Sequence, residues 1–376
     1  MMTNVWRRRE NGHYYLVIIT ILVAIFGIVM QYSASMYSAG RDMNDPFYYV
    51  KKQSFALVIG VIVMLCTSRL DTNILKKYRY HMLIVSYILL ALVFVPHIGV
   101  EKYGAKRWIN LGFITIQPSE IAKMVLVIFL ASEMASKSTT TIRSMLPSLI
   151  ALAIMCVLIM LEPNMSITMC VGIVAFIMLY LGGMRARHFA MFGIPIMVGV
   201  VLLIILEPYR LKRLMAFLDP WASPQGEGYQ LIQSYYALGS GGLFGVGLFN
   251  SRQKYLFLPF AESDFVFSIV GEELGLFGST LLLVMIMSIV VYGIVTAIGA
   301  TTRFDAYLAA GISVLIAVQS LLNIAVVTGS IPPTGLPLPL VSHGGSSLVV
   351  YMAGIGLIRG VRQRSSTNNA ILHTIK

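Results

Sequence analysis

The sequence predicts an all-α polytopic membrane protein of about ten transmembrane helices, with one large extracytoplasmic loop between helices seven and eight. Two observations carry this. Of the residues, 57% are hydrophobic and only 12% are charged, a balance typical of membrane-embedded chains. The apolar residues are gathered into long runs, and the proline and glycine clusters fall between those runs.

In chain order the runs cover Tyr14 to Met30, Gln53 to Ser68, Met82 to Val95, Ile121 to Met134 and Met145 to Leu161. They continue with Met165 to Leu181, Phe189 to Leu206, Phe265 to Ala300, Ala306 to Ser330 and Ser342 to Ile358. The fourth is the least regular, because Glu120, Lys123 and Glu133 interrupt it, and the eighth is long enough to be tilted or to protrude. The first run lacks a small-residue cleavage site, so no signal peptide is expected. Cys66, Cys156 and Cys170 lie inside apolar runs and read as buried small hydrophobes, neither a disulfide framework nor a metal site. One membrane domain spans residues 1–363, and the polar stretch 364–376 reads as a disordered cytoplasmic tail.

Placing the Lys and Arg residues on alternate sides of ten spans puts the majority on the side of both termini, which is therefore cytoplasmic. The opposite side still receives Arg41, Lys51, Lys52, Lys102, Lys106, Arg107, Arg210, Lys212, Arg213, Arg252 and Lys254. These cations concentrate in the two most motif-like loops, where they can serve an anionic ligand or sit against lipid headgroups.

Four outer segments hold the distinctive residues. GAKRWINLG (Gly104 to Gly112) and QPSEIAK (Gln117 to Lys123) place Lys106, Arg107 and Trp108 at the interface, and Pro118 and Ser119 start a helix. Glu120 and Lys123, three apart, can pair on one face, as a structural ion pair or as substrate contacts. LEPNM (Leu161 to Met165) puts Glu162 at a helix break, facing a cavity or orienting backbone. The third is the polar interlude from Glu207 to Phe265, with basic groups Arg210, Lys212, Arg213, Arg252 and Lys254, and Asp264 near its end. The fourth, PPTGLPLPLVSHGGSS (Pro332 to Ser347), has four prolines that preclude an ordinary helix, and its hydroxyls Ser342, Ser346 and Ser347 can donate to phosphate or cap the last helix.

Together these segments resemble the SEDS family (shape, elongation, division and sporulation), the RodA, FtsW and SpoVE proteins, over nearly the whole chain. GAKRWINLG with QPSEIAK, RLMAFLDPW, GYQLIQS, NSRQKYLFLP, AESDFVFSIVGEELG and PLPLVSHGGSS carry the likeness. NSRQKYLFLP and AESDF lean toward the FtsW and SpoVE branch, GLPLPLVS toward RodA. The chain departs from the family pattern at Phe260 (usually Glu), Asn164 (usually Asp), His343 (usually Tyr) and Phe249 (usually Gly).

The resemblance implies a peptidoglycan glycosyltransferase that polymerises lipid II at the outer face of the cytoplasmic membrane with a class B penicillin-binding protein, among other division or elongation proteins and no nucleic acid. Asp264 occupies the position of the family's catalytic aspartate. Lys106, Arg107, Trp108, Glu120, Lys123, Lys212, Arg213, Arg252, Lys254, Ser342, Ser346 and Ser347 become candidate substrate contacts. No cofactor is implied beyond a possible divalent cation. The residue types suit such chemistry: pyrophosphate is already a good leaving group and needs positive charge more than a proton, so one general base and several cations suffice. Glu162, Glu227, Glu262, Glu272 and Glu273 compete with Asp264 for the role of base. Glu272 lies about 12 Å along a helix from Asp264, and Glu272 and Glu273 inside a span read as partners of helix neighbours or buried charges. By residue type alone Asp264 is equally an N-cap. A lipid II transporter and a non-catalytic scaffold are the competing functions.

Overall fold

A computed structural model describes residues 12–102, 105–110, 115–136, 141–206 and 208–374. The chain is mainly helical, and each of the ten apolar runs lies on a helix. In order these are α1 (Gly12–Met43), α2 (Tyr48–Arg69), the short α3 (Thr72–Lys77), α4 (Arg79–Leu92), α5 (Pro118–Ser136), α6 (Ile142–Leu161), α7 (Met165–Leu181) and α8 (Ala186–Leu206). After them come α9 (Pro208–Leu218), α10 (Tyr229–Gly241), α11 (Val266–Ile298), α12 (Arg303–Val327) and α13 (Gly345–Thr374). Among the described residues α1, α2, α6, α11 and α12 are long and apolar enough to cross a membrane.

The charges that interrupt the fourth run lie on a helix packed inside the bundle. From Pro118 to Met134 α5 is buried at all but one position, and its charged groups are neutralised in place. The Lys123 ammonium donates to Glu120 at 2.8 Å. Glu133 accepts from Arg79 at 3.2 Å and from the Tyr80 hydroxyl at 3.1 Å. Such pairing is what allows charge in an apolar interior.

The eighth run is not one continuous rod: α11 breaks at Gly275 (φ 66°, ψ −163°), a conformation essentially reserved for glycine. The break exposes backbone groups on both sides, and residues 242–247 satisfy them. Val246 and Gly247 donate to the Glu272 and Glu273 carbonyls at 2.9 and 3.0 Å, while Leu276 and Phe277 donate to Gly242 and Leu243 at 2.9 and 3.1 Å.

Three further readings of the sequence change. The interlude is not simply a loop, since α9 and α10 lie within it and α10 buries Leu231, Ile232, Ser234 and Ala237. Cys66 is exposed on α2 instead of buried, with Cys156 intermediate and Cys170 buried. The backbone of α13 continues as helix through the polar stretch from Arg364 to Thr374, which was expected to be disordered.

Gly275→Ala is expected to cost about 1–3 kcal/mol for its backbone conformation alone, and more because the added carbon would sit 2.4 Å from the Gly245 nitrogen. Gly239→Ala on α10, where a Cβ meets open space, should be neutral. Thermal unfolding of both purified variants in one detergent checks the contrast, and equal melting temperatures would remove the explanation given for the break.

Candidate active site

GAKRWINLG folds as part of a small antiparallel sheet, β1 (Gly99–Lys102), β2 (Ala105–Asn110) and β3 (Thr115–Ile116), in the order β1-β2-β3; Gly104, Leu111 and Gly112 lie outside the described residues. In register Lys106 faces Glu101 and Trp108 faces Val100. Arg107 points toward the end of α6, donating through Nε to the Glu162 carbonyl at 3.1 Å and through Nη2 to the Pro163 carbonyl at 2.7 Å. Ser346 ties the other edge of the sheet to α13: its hydroxyl donates to the Thr115 carbonyl at 3.0 Å and accepts from the Gln117 amide at 3.3 Å.

The proline-rich segment 331–344 is irregular but well partnered. Asn323 of α12 donates through Nδ2 to the Leu336 carbonyl at 2.7 Å and to the Asp264 carbonyl at 2.8 Å, so one buried amide joins the third segment to the fourth. Gln319 donates to the Pro337 carbonyl at 2.8 Å, and its own carbonyl oxygen accepts from Lys123 and from the Tyr351 hydroxyl, both at 2.5 Å. The Ser342 hydroxyl accepts from the Leu338 amide at 2.8 Å. Gln53 donates to the Ser342 carbonyl at 3.2 Å, and His343 donates through its backbone to the Glu262 carbonyl at 3.0 Å.

This scaffold leaves the Asp264 carboxyl half-buried beside Gly335 (φ 70°), where any side chain's Cβ would lie 3.1 Å from Asp264 Oδ2. Asp264 precedes the N-cap of α11, which is Phe265, and no side-chain cap bond forms there; the capping role therefore does not hold. Burial pushes its carboxyl up to about 6, with Glu262 adding to the rise, against the opposing pull of Ser263, Arg107 and Arg213. Arg107 and Arg213, far apart in sequence, thus both act on this one carboxyl. Arg213 also pairs with Glu227 at 3.5 Å.

The remaining candidates divide. Lys106, Lys212 and Arg252 are exposed, and Trp108 is half-buried. Glu120 and Lys123 are each 1% exposed, so in this conformation they reach the site only through Gln319. Lys254 is buried against Glu273 at 3.4 Å, not presented at the surface. Ser342 and Ser346 spend their hydroxyls on backbone, and Ser347 is buried. The Arg210 side chain lies outside the described residues. Among the described residues no group of three or more His, Cys, Asp or Glu side chains is placed to hold a metal ion. Asn323, Gln319, Gln53 and Tyr351 escaped the sequence reading; the available signal was four hydrogen-bonding side chains inside apolar runs, where each needs a partner.

An apolar helical bundle with internal ion pairs, and a half-buried carboxyl within the field of two arginines beside irregular backbone, is the arrangement of a helical membrane protein. The chain belongs to the FtsW, RodA and SpoVE family of cell cycle proteins, whose model matches residues 13–367. It is 39% identical to stage V sporulation protein E of Bacillus subtilis over 95% of this chain and 99% of that one. It is 37% identical to the probable peptidoglycan glycosyltransferase FtsW of Geobacter sulfurreducens, over 95% and 97%. Among solved structures it matches a chain of a peptidoglycan synthase complex that coordinates polymerization and crosslinking, with a TM-score of 0.77 and 28% identity over 94% of this chain and 98% of that one. It also matches the rod shape determining protein RodA of Thermus thermophilus in an aspartate-to-alanine form, with a TM-score of 0.70 and 26% identity over 93% and 97%.

Glu162, just past the end of α6, is fully buried and neither carboxyl oxygen has a hydrogen-bond partner. Burial pushes it up to about 8 from an ordinary 4.5, against the pull of Arg107. The folded chain therefore holds a proton that the unfolded chain releases, so stability falls as pH rises from 4.5 through 8 and levels off above. Glu162→Gln cannot ionise and loses this slope. Its melting temperature relative to the parent should climb between pH 5 and pH 8 and then plateau; a difference independent of pH would refute the buried neutral acid.

Proposed function

We propose that this chain is a peptidoglycan glycosyltransferase that polymerises lipid II into glycan strands and releases polyprenyl pyrophosphate. The observation that carries the reading is the Asp264 carboxyl, raised to about 6 by burial yet within the field of Arg107 and Arg213. A base of that acidity is mostly ionised at neutral pH but still able to take a proton. Asp264 accepts the proton from a sugar hydroxyl of the incoming lipid II, and the freed oxygen attacks the anomeric carbon of the growing strand. The bond from that carbon to the pyrophosphate oxygen breaks, and its electron pair leaves with the polyprenyl pyrophosphate. Arg107, Arg213 and the exposed Lys106, Lys212 and Arg252 offset the negative charge that gathers there.

The site lies at the outer face of the cytoplasmic membrane, with ten spans, both termini cytoplasmic and the segment 208–264 extracytoplasmic. The distribution of Lys and Arg and the helix on each apolar run support this orientation. A class B penicillin-binding protein is the transpeptidase partner, a reading supported by the likeness to a complex that couples polymerization with crosslinking.

Asp264→Asn keeps the volume of the side chain and removes the base. With purified protein and lipid II, the rate should rise with pH through about 6 in the parent and fall ~10² to 10⁴-fold in the variant. Near-normal polymer from a folded Asp264→Asn protein would remove Asp264 as the base, whereas a folded parent that makes no polymer would favour a lipid II transporter or a scaffold.

Orientation is tested separately by a cysteine replacing Ser223 in the connection between α9 and α10. An impermeant maleimide should label it in intact cells; labelling only after permeabilisation would invert the topology.

A further inference from the structure

Glu272 and Glu273 follow one another on α11, 2% and 0% exposed, and nearly all their hydrogen-bond donors come from one irregular stretch, residues 249–254. Glu272 Oε1 accepts from the Arg252 amide at 2.9 Å; Oε2 accepts from the Gln253 amide at 3.4 Å and from the Ser251 hydroxyl. Glu273 Oε2 accepts from the Phe249 amide at 3.0 Å. Its Oε1 accepts from the Ser251 amide at 3.1 Å, the Lys254 ammonium at 3.4 Å and the Ser33 hydroxyl of α1 at 2.5 Å. Lys254 in turn donates to the Phe249 carbonyl at 2.5 Å.

Two carboxylates offer about eight acceptor sites, and this loop with Ser33 fills most of them. The loop forms no helix or strand, and the carboxylates are what hold the amides of Phe249, Ser251, Arg252 and Gln253. The consequence is selective. Of the two cations in the stretch, Lys254 is buried in the clamp, whereas Arg252 is held by its backbone and keeps its side chain exposed. Glutamine is a poor substitute for Glu272, because its amide nitrogen would turn a donor toward donors.

We propose that Glu272 and Glu273 are positioning residues that fix the backbone of residues 249–254 so that Arg252 is presented to the pyrophosphate of the polyprenyl-linked substrate. This rests on the reading of the site as one that handles lipid II, and it gives the carboxylate pair within α11 a task separate from proton transfer. Ser33 adds α1 to the clamp, so that helix too helps set where Arg252 stands.

The test is a double-mutant cycle on the full-length protein in nanodiscs, reading the Kd for lipid II together with KM and kcat for polymer formation. Arg252→Ala and Glu272→Gln should each weaken lipid II binding about tenfold, raise KM similarly and lower kcat in parallel, because the side chain that is lost or misplaced also offsets the charge gathering on the pyrophosphate. Combining them should weaken binding no further than either alone, because Glu272 acts through Arg252. Should Glu272→Gln fail to fold, Ser251→Ala removes one donor to Glu272 and should give a smaller loss that likewise vanishes in the Arg252→Ala background. Additive losses, or tight binding by Arg252→Ala, would overturn the positioning role while leaving the glycosyltransferase reading intact. A parent protein that binds lipid II but makes no polymer would overturn that reading while the binding cycle still decides the clamp.

Discussion

The site depends on one buried side chain, Asn323, whose amide nitrogen holds the carbonyls of Asp264 and Leu336 at once. Neither carbonyl can find its partner within a helix: Asp264 lies ahead of α11, and Leu336 sits among prolines that supply no backbone N–H. Where water is scarce, a carbonyl left unpaired costs about 1–3 kcal/mol, so irregular backbone survives there only with side-chain partners. Asn323 meets that demand for two strands of chain and thereby fixes the distance between the Asp264 carboxyl and Gly335. Gln319, one turn earlier on α12, does the same for Pro337.

A second consequence concerns charge. Ions inside the bundle are seldom worth their desolvation as stabilising pairs, and here they are spent on holding irregular chain. Lys123 is joined through Gln319 to the proline-rich segment and to Tyr351 of α13. Lys254 and Glu273 hold the stretch that precedes Asp264. Lys106, Lys212 and Arg252 keep exposed side chains, whereas Arg107 and Arg213 act on Asp264 while bonded to the end of α6 and to Glu227.

The helices were legible because runs of apolar residues leave the chain few other options, and Pro118 announces the start of α5. The four site segments were legible because proline, glycine and charge are costly in such a chain and mark a requirement. What sequence could not supply was direction. Lys123 and Lys254 look like Arg252 on paper, yet two point into the bundle and one does not. The hairpin of β1 and β2 was hidden because it is short and its alternation is interrupted by a bulge at Val100 and Glu101. α10 was hidden within a stretch rich in Gly and Ser, although its buried Leu231, Ser234, Ala237 and Gly241 follow one another at helical spacings of three or four.

The family departures take on physical content in this frame. Residue 249 lies at φ 64°, a conformation that suits the usual glycine and strains the phenylalanine found here. Two contacts offset the strain: the Phe249 ring meets Tyr32 edge-on with centroids 5.8 Å apart, and its amide is held by Glu273. An aromatic pair of that kind contributes about 0.5–1.5 kcal/mol, comparable with the cost of one left-handed residue. Phe260, at φ 56°, keeps the backbone role of its position, since its carbonyl accepts from Ser263 and Phe265. The acid usual at that position is missing, which leaves Glu262 as the other carboxyl acting on Asp264.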